Sequence, residues 1–191
     1  SIPDLFSYMF KRAPSFFDEV CYTGDGTAGN IGHNLGATPE LVIFKCRSTA
    51  DNWYVWNTGF AVGDSLFLNA TAAKTSGYTL LTGAPTRTTL PLPGGGSQYF
   101  TNYSGQTYVA YLFATCAGVS KVFSFTGNGT TQTINCGFTG GARFVLLKAS
   151  SATGGWYVYD TARGMTVLTD PYLQLNSTAA ESATLGSVTT V

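Results

Sequence analysis

Apolar side chains come in short runs along this chain, some alternating with polar residues and some continuous, and each run is cut by Gly, Asn, Asp or Ser. Leu41–Lys45, Trp53–Thr58 and Tyr108–Phe113 are the clearest, rich in β-branched and aromatic residues. Runs of this composition between turn formers read as β-strands. No stretch sustains a 3.6-residue apolar period over ten or more residues, so the pattern predicts an all-β protein. Strands are predicted in its first part over about 17–23, 30–34, 40–47, 53–58, 65–69, 78–82, 87–91, 97–101 and 107–115. Further along they are predicted over about 121–126, 131–136, 143–149, 155–160 and 171–176. In Tyr108–Phe113 both faces are apolar. That fits an inner strand covered on both sides, or one covered on one side with an interface on the other.

The same pattern occurs twice. Tyr22-Thr23-Gly24-Asp25-Gly26-Thr27 returns as Phe125-Thr126-Gly127-Asn128-Gly129-Thr130, and Leu41–Lys45 returns as Phe144–Lys148. Trp53-Tyr54-Val55-Trp56-Asn57-Thr58 returns as Trp156-Tyr157-Val158-Tyr159-Asp160-Thr161. These matches keep one offset of about 103 residues, the step from Trp53 to Trp156. Leu66–Ala73 then returns as Leu173–Ala180, displaced by a further four, which places a small insertion between Arg163 and Asp170. Internal repeats of this kind constrain the whole fold.

The expected architecture is therefore two tandem related β-sandwich units of jelly-roll-like form. An apolar lead-in covers 1–19, the first unit 20–117 and the second 118–191. The lead-in carries Leu5, Phe6, Tyr8, Phe10, Phe16 and Phe17, too much aromatic surface to leave in water, so it is expected to cover the first unit or a preceding domain. The second unit lacks counterparts of the last strands of the first. An unpaired sheet edge invites another strand, so either the polypeptide continues or another chain fills the edge. The chain opens on Ser1 rather than Met, which fits a processed or partial product.

Composition narrows the function classes. Ten basic and ten acidic residues leave no net charge, and no basic patch is available for a nucleic acid. No apolar run approaches the roughly 20 residues of a membrane helix, so no membrane insertion is expected. Cys21, Cys46 and Cys136 align with Ser124, Ala149 and His33, whereas a disulfide structural to the unit would recur in both copies. Reduced, mostly buried thiols are expected at these positions and at Cys116, with no zinc-type cluster.

Candidate chemistry is sparse. His33 is the only histidine, and its partner in the repeat is a cysteine, so a satisfied strand or turn residue is expected rather than a catalytic base. Asp25, Glu40, Asp51, Asp64, Asp160, Asp170 and Glu181 form the pool for a carboxylate pair of the glycosidase kind. Asp25 becomes Asn128 and Asp160 replaces Asn57 across the repeat, which points to capping of turns. Four Asn-x-Ser/Thr triplets, starting at Asn69, Asn102, Asn128 and Asn176, are read as turns as well. The aromatic strand leaves one surface hypothesis. Trp53 and Val55 share one face and Tyr54 and Trp56 the other. One face is core, and the other is a flat platform for a sugar or a partner protein, with Tyr54, Trp56, Tyr157 and Tyr159 exposed.

Phe10-Lys11-Arg12-Ala13-Pro14-Ser15-Phe16-Phe17-Asp18, the Thr23–Thr27 turn, His33-Asn34-Leu35-Gly36, Pro39-Glu40 and the Trp53 strand together resemble a β-repeat domain of tailed-bacteriophage structural proteins. Those proteins, of marine and cyanobacterial phages especially, form tail fibres and other virion appendages. The resemblance implies an exposed, multimeric virion component, assembled in the host cytoplasm, with no cofactor and no assigned catalytic residues. Cys136-Gly137-Phe138 departs from it where the first copy has His33-Asn34-Leu35. The expected function is that of a non-enzymatic tail-fibre or appendage segment in host-surface attachment, working as a homo-oligomer, a trimer by preference, with other virion proteins and a host-surface glycan as partners. A capsid or tail decoration protein of purely structural role, a glycan-binding lectin-like module and a depolymerase-type glycosidase are the competing readings.

Overall fold

A computed structural model describes residues 7–96, 100–165 and 170–182. The described residues contain ten β-strands and no helix, as the apolar pattern predicts. The strands are β1 (Phe17–Thr23), β2 (Gly29–Gly32), β3 (Leu41–Cys46), β4 (Trp53–Asn57), β5 (Leu66–Phe67), β6 (Thr89–Leu92), β7 (Thr107–Phe113), β8 (Phe144–Lys148), β9 (Trp156–Asp160) and β10 (Leu173–Gln174). They form an antiparallel five-stranded sheet of order β1-β7-β3-β4-β5, a two-stranded sheet β2-β6 and a three-stranded sheet β10-β9-β8.

The main core lies on one face of the five-stranded sheet. Val42 and Phe44 from β3, Tyr54 and Trp56 from β4, and Ala110 and Leu112 from β7 meet Leu90 and Leu92 of β6. Alternation along each strand sends these residues to the same side, and the β2-β6 pair closes over them as the second layer of a β-sandwich. Leu35, Leu80 and Leu81 complete the cover from loops. The predicted strand at 78–82 does not form. Leu80 and Leu81 are both buried, but from irregular backbone with no strand paired beside it. Of the predicted strand at 97–101, residues 97–99 lie outside the described residues.

The opposite face of the five-stranded sheet is covered in part by the three-stranded one. Ile43, Val55 and Leu66 pack with Trp156 of β9, and Leu146 of β8 joins them. The Trp156 indole N–H donates to the carbonyl of Phe67 at 2.8 Å. Backbone bonds from Lys74 N–H to Ser150 O and from Gly154 N–H to Thr71 O, both 2.8 Å, tie the adjoining loops. The lead-in wedges against the same junction. Phe10 meets Phe17 and Phe113 on one side and Phe144 on the other, as its aromatic content requires.

Aligned positions of the two halves keep their pairing. Leu41↔Asn57 through Lys45↔Trp53 in β3-β4 corresponds to Phe144↔Asp160 through Lys148↔Trp156 in β8-β9. The Asn69 carboxamide accepts the Trp53 N–H at 3.0 Å, and Asn176 accepts the Trp156 N–H at 2.6 Å. A second sandwich, however, does not form among the described residues. The strands predicted at 121–126 and 131–136 are absent: residues 121–143 lie in no strand. Their apolar pattern is strand-like, but a strand needs a neighbour to satisfy its N–H and C=O groups, and none of the described residues supplies one.

Candidate functional site

The aromatic platform expected from β4 and β9 is corrected by burial. Tyr54 is 2% exposed, Trp56 7% and Tyr159 2%, and Tyr157 is half-buried against Tyr172, ring centroids 5.3 Å apart. The division of β4 into two faces holds, but the Tyr54/Trp56 face is the one sealed by β6 and the Leu80–Leu81 loop. The Tyr54 hydroxyl donates to Asp51 at 2.8 Å, as a buried phenol must.

The open aromatic surface is on the other side. Phe10, Phe17, Glu19, Ile43, Trp53, Tyr111 and Phe113 line a groove of about 370 Å³ on the part of the five-stranded sheet that the three-stranded sheet leaves uncovered. Pairing explains how these residues meet. Glu19, Tyr111, Ile43 and Val55 form one cross-strand row, with Phe17 and Phe113 in the row beside it. The Tyr111 ring is near-parallel to Phe17, at 12°, and to Trp53, at 14°, with centroids 6.4 Å apart in both pairs. That separation belongs to offset rings; Trp53 and Tyr111 are half-buried and reach the groove surface, while Phe17, at 6% exposed, is the buried end of the row. Lys45 places its ammonium 5.9 Å from the Trp53 ring centroid, and Glu19 supplies a carboxylate at the rim. Burial pushes the Tyr111 phenol up from its ordinary pKa, with the charges of Glu19 and Cys21 adding to it. An apolar floor with a few polar groups is the usual make-up of a ligand site. The signal in the sequence was the double-sided apolar pattern of Tyr108–Phe113, of which one face is core and the other this groove.

Most of the groups considered for catalysis are hydrogen-bonded within the fold. The His33 ring accepts the Leu35 N–H at Nδ1, 3.3 Å, and lies 3.3 Å through Nε2 from the Thr86 carbonyl. Asp25 caps its own turn through the Thr27 N–H. Glu40 accepts the N–H and hydroxyl of Thr115. Asp64 is held by Lys74 and Ser76, and Asp160 by Tyr8 and Arg163. Glu181 reaches Arg163 at 3.4 Å, and Asp170 is buried. The four cysteines are free thiols, but against expectation only Cys46 is buried; Cys21 is exposed and Cys116 and Cys136 are partly so. Among the described residues no cluster of metal-ligating side chains occurs and no helix is long and apolar enough to cross a membrane.

The buried polar groups predict a two-stage acid response. Burial holds the His33 pKa below its ordinary value. Its share of stability is present above the ordinary value near 6.5 and is lost as the pH falls below it. Burial alone would raise the Asp18 pKa, but the Asn34 N–H at 2.7 Å, Arg12 at 2.5 Å and the Glu19 N–H outweigh it, and the net direction is down. Asp64 and Asp160 are lowered as well. Their share is present above about pH 4 and is lost below it. Denaturant unfolding across a pH series should show stability falling first below about 6.5 and more steeply below about 4. Asp18→Asn should flatten the lower segment and, because the Asp18 charge holds the His33 pKa up against burial, steepen the upper one; an unchanged lower slope would contradict this.

A family assignment follows from the whole span rather than from any one site residue, because a match runs from residue 7 to residue 189. The chain belongs to the family described as domain of unknown function DUF7483. No curated protein and no solved structure matches it. The DUF7483 match includes the five-stranded sheet, the groove and the three-stranded sheet, so the junction built on Trp156 lies inside the family's own span.

Proposed function

We infer that this DUF7483 chain is a non-enzymatic structural protein of a phage virion, a tail-fibre or appendage segment that attaches to a host-surface glycan through the Trp53–Tyr111–Phe17 groove. The observation that carries the reading is the pair of offset, half-buried rings of Trp53 and Tyr111 beside Glu19 and Lys45, with buried Phe17 closing the end of the row. The C–H face of a pyranose packs against such rings, while a carboxylate and an ammonium at the rim take its hydroxyls. The phage origin rests on the resemblance of the Phe10–Asp18 and His33–Gly36 stretches. A homo-oligomer, a trimer by preference, would present several shallow grooves at once and raise avidity without a deep pocket.

The test is an array of bacterial surface polysaccharides probed with the purified chain. Saturable binding is expected, with Trp53→Ala and Tyr111→Ala each weakening it by about tenfold or more, the scale of an interface hot spot. Trp56→Ala separates groove from core: it should lose stability, because Trp56 is sealed in the sandwich. Binding that survives both groove substitutions in folded protein would overturn the reading. Release of reducing ends from the bound polysaccharide would overturn its non-enzymatic part.

A further inference from the structure

We propose that the second half of the chain is a strand acceptor, completed by two antiparallel strands of the β6–β7 type from outside the described residues. The first half provides the template. There β7 pairs with β1 on one side and β3 on the other, while β6 pairs with β2. At the repeat offset, the counterparts of β1, β2 and β3 are residues 120–126, residues 132–135 and β8. These three are the elements left open: β8 pairs only with β9, and 121–143 is in no strand. One missing pair of strands accounts for all three.

The exposed side chains agree. Val20, Tyr22 and Ile31 pack on the main core of the first half. Their counterparts Phe123, Phe125 and Ile134 are 40%, 51% and 37% exposed, an apolar set with nothing over it.

A glycine gives independent support. A Cβ on Gly24 would lie 2.4 Å from the Tyr103 carbonyl oxygen, and the Asn102 side chain clamps the same turn through the Asp25 N–H and the Thr27 carbonyl. Gly24 is therefore glycine because the segment between β6 and β7 comes too close for a side chain. Gly127 stands at the same place in the second turn, outside the positive-φ glycines, and a Cβ on it would meet nothing within 4 Å. Its missing side chain has no use inside the described residues and matches the approach of a Tyr103-like carbonyl.

A second copy of the chain fits less well. Its β7 is held between β1 and β3. Pairing two β8 edges would leave 120–126 and 132–135 open. The occupant is instead a strand pair from outside the described residues with the register of β7, small where Ala110 would lie opposite Phe123 and Leu147, and Leu-like where Leu112 would lie opposite Val145.

The test is amide hydrogen exchange on the full chain, alone and with the sequence of residues 84–115 appended through a long Gly/Ser linker as a tethered donor. Alone, 120–126 and 132–135 should exchange far faster than β1 and β2. The tether should slow exchange in 120–126, 132–135 and β8 by about tenfold or more. Gly127→Ala should leave the untethered chain unchanged and abolish that slowing. Unchanged exchange with the tether, protection that ignores Gly127→Ala, or protection of the untethered chain that rises with its own concentration would each overturn the proposal.

Discussion

Trp156→Ala is expected to destabilise the protein by about 3–5 kcal/mol, the usual cost of deleting a buried large aromatic side chain. Trp156 is the residue by which β9 enters the outer face of the five-stranded sheet, against Ile43, Val55 and Leu66. Its indole also satisfies the Phe67 carbonyl. Removal leaves a cavity, and that acceptor loses its donor at the junction. The loss should concentrate at the junction, so calorimetry should resolve a weaker transition for the β8-β9-β10 sheet ahead of the main one. Trp53→Ala, the same substitution at the aligned position, should cost far less, because Trp53 is only half-buried at the groove. Equal losses at the two positions would contradict this packing.

Arg163→Met is the second large effect. The Arg163 guanidinium is 1% exposed and donates to Asp160 at 2.6 Å, to the Val158 carbonyl at 2.9 Å and to the Tyr8 hydroxyl at 3.0 Å. Tyr8 in turn donates to Asp160 at 2.7 Å. Burial first, and Asp160 second, push the Tyr8 phenol up to about 12, so it stays a donor at neutral pH. Taking away the cation leaves the Asp160 carboxylate buried without its main partner, and breaking such a pair costs about 3–5 kcal/mol. The double variant Asp160→Asn/Arg163→Met should recover much of that, because no lone charge remains. Denaturant midpoints of the two variants measure it. A double variant as unstable as Arg163→Met alone would show that the loss lies elsewhere than in the stranded carboxylate.

The local rules were readable in the sequence, and the long-range cover was not. Strand period, turn chemistry and the partition of β4 into a Trp53/Val55 face and a Tyr54/Trp56 face follow from neighbours along the chain. Which face becomes core depends on Leu80, Leu81, Leu90 and Leu92, distant residues of which two sit in irregular backbone. The expected platform at Tyr54, Trp56, Tyr157 and Tyr159 was therefore placed on the wrong side of the strand. Trp53 and Trp156 make the same point: both head the same aligned strand, yet one borders an open groove and the other is sealed in a junction. The predicted strands at 121–126 and 131–136 have the right alternation, but pairing is a property of two segments. The turn triplets and His33 were readable as fold residues because the repeat varies them or because their side chains suit backbone capping.

The central claim is that the groove of Phe17, Trp53 and Tyr111 is the surface that meets a ligand. The most direct measurement is a nuclear magnetic resonance titration of the isotopically labelled chain with the strongest-binding polysaccharide fragment from the array. The account predicts saturable shifts of the Trp53 indole and the Tyr111 and Phe17 rings, with the Trp156 indole unmoved. Shifts centred on Tyr157 and Tyr172, or saturation that leaves the Trp53 indole unmoved, would contradict it.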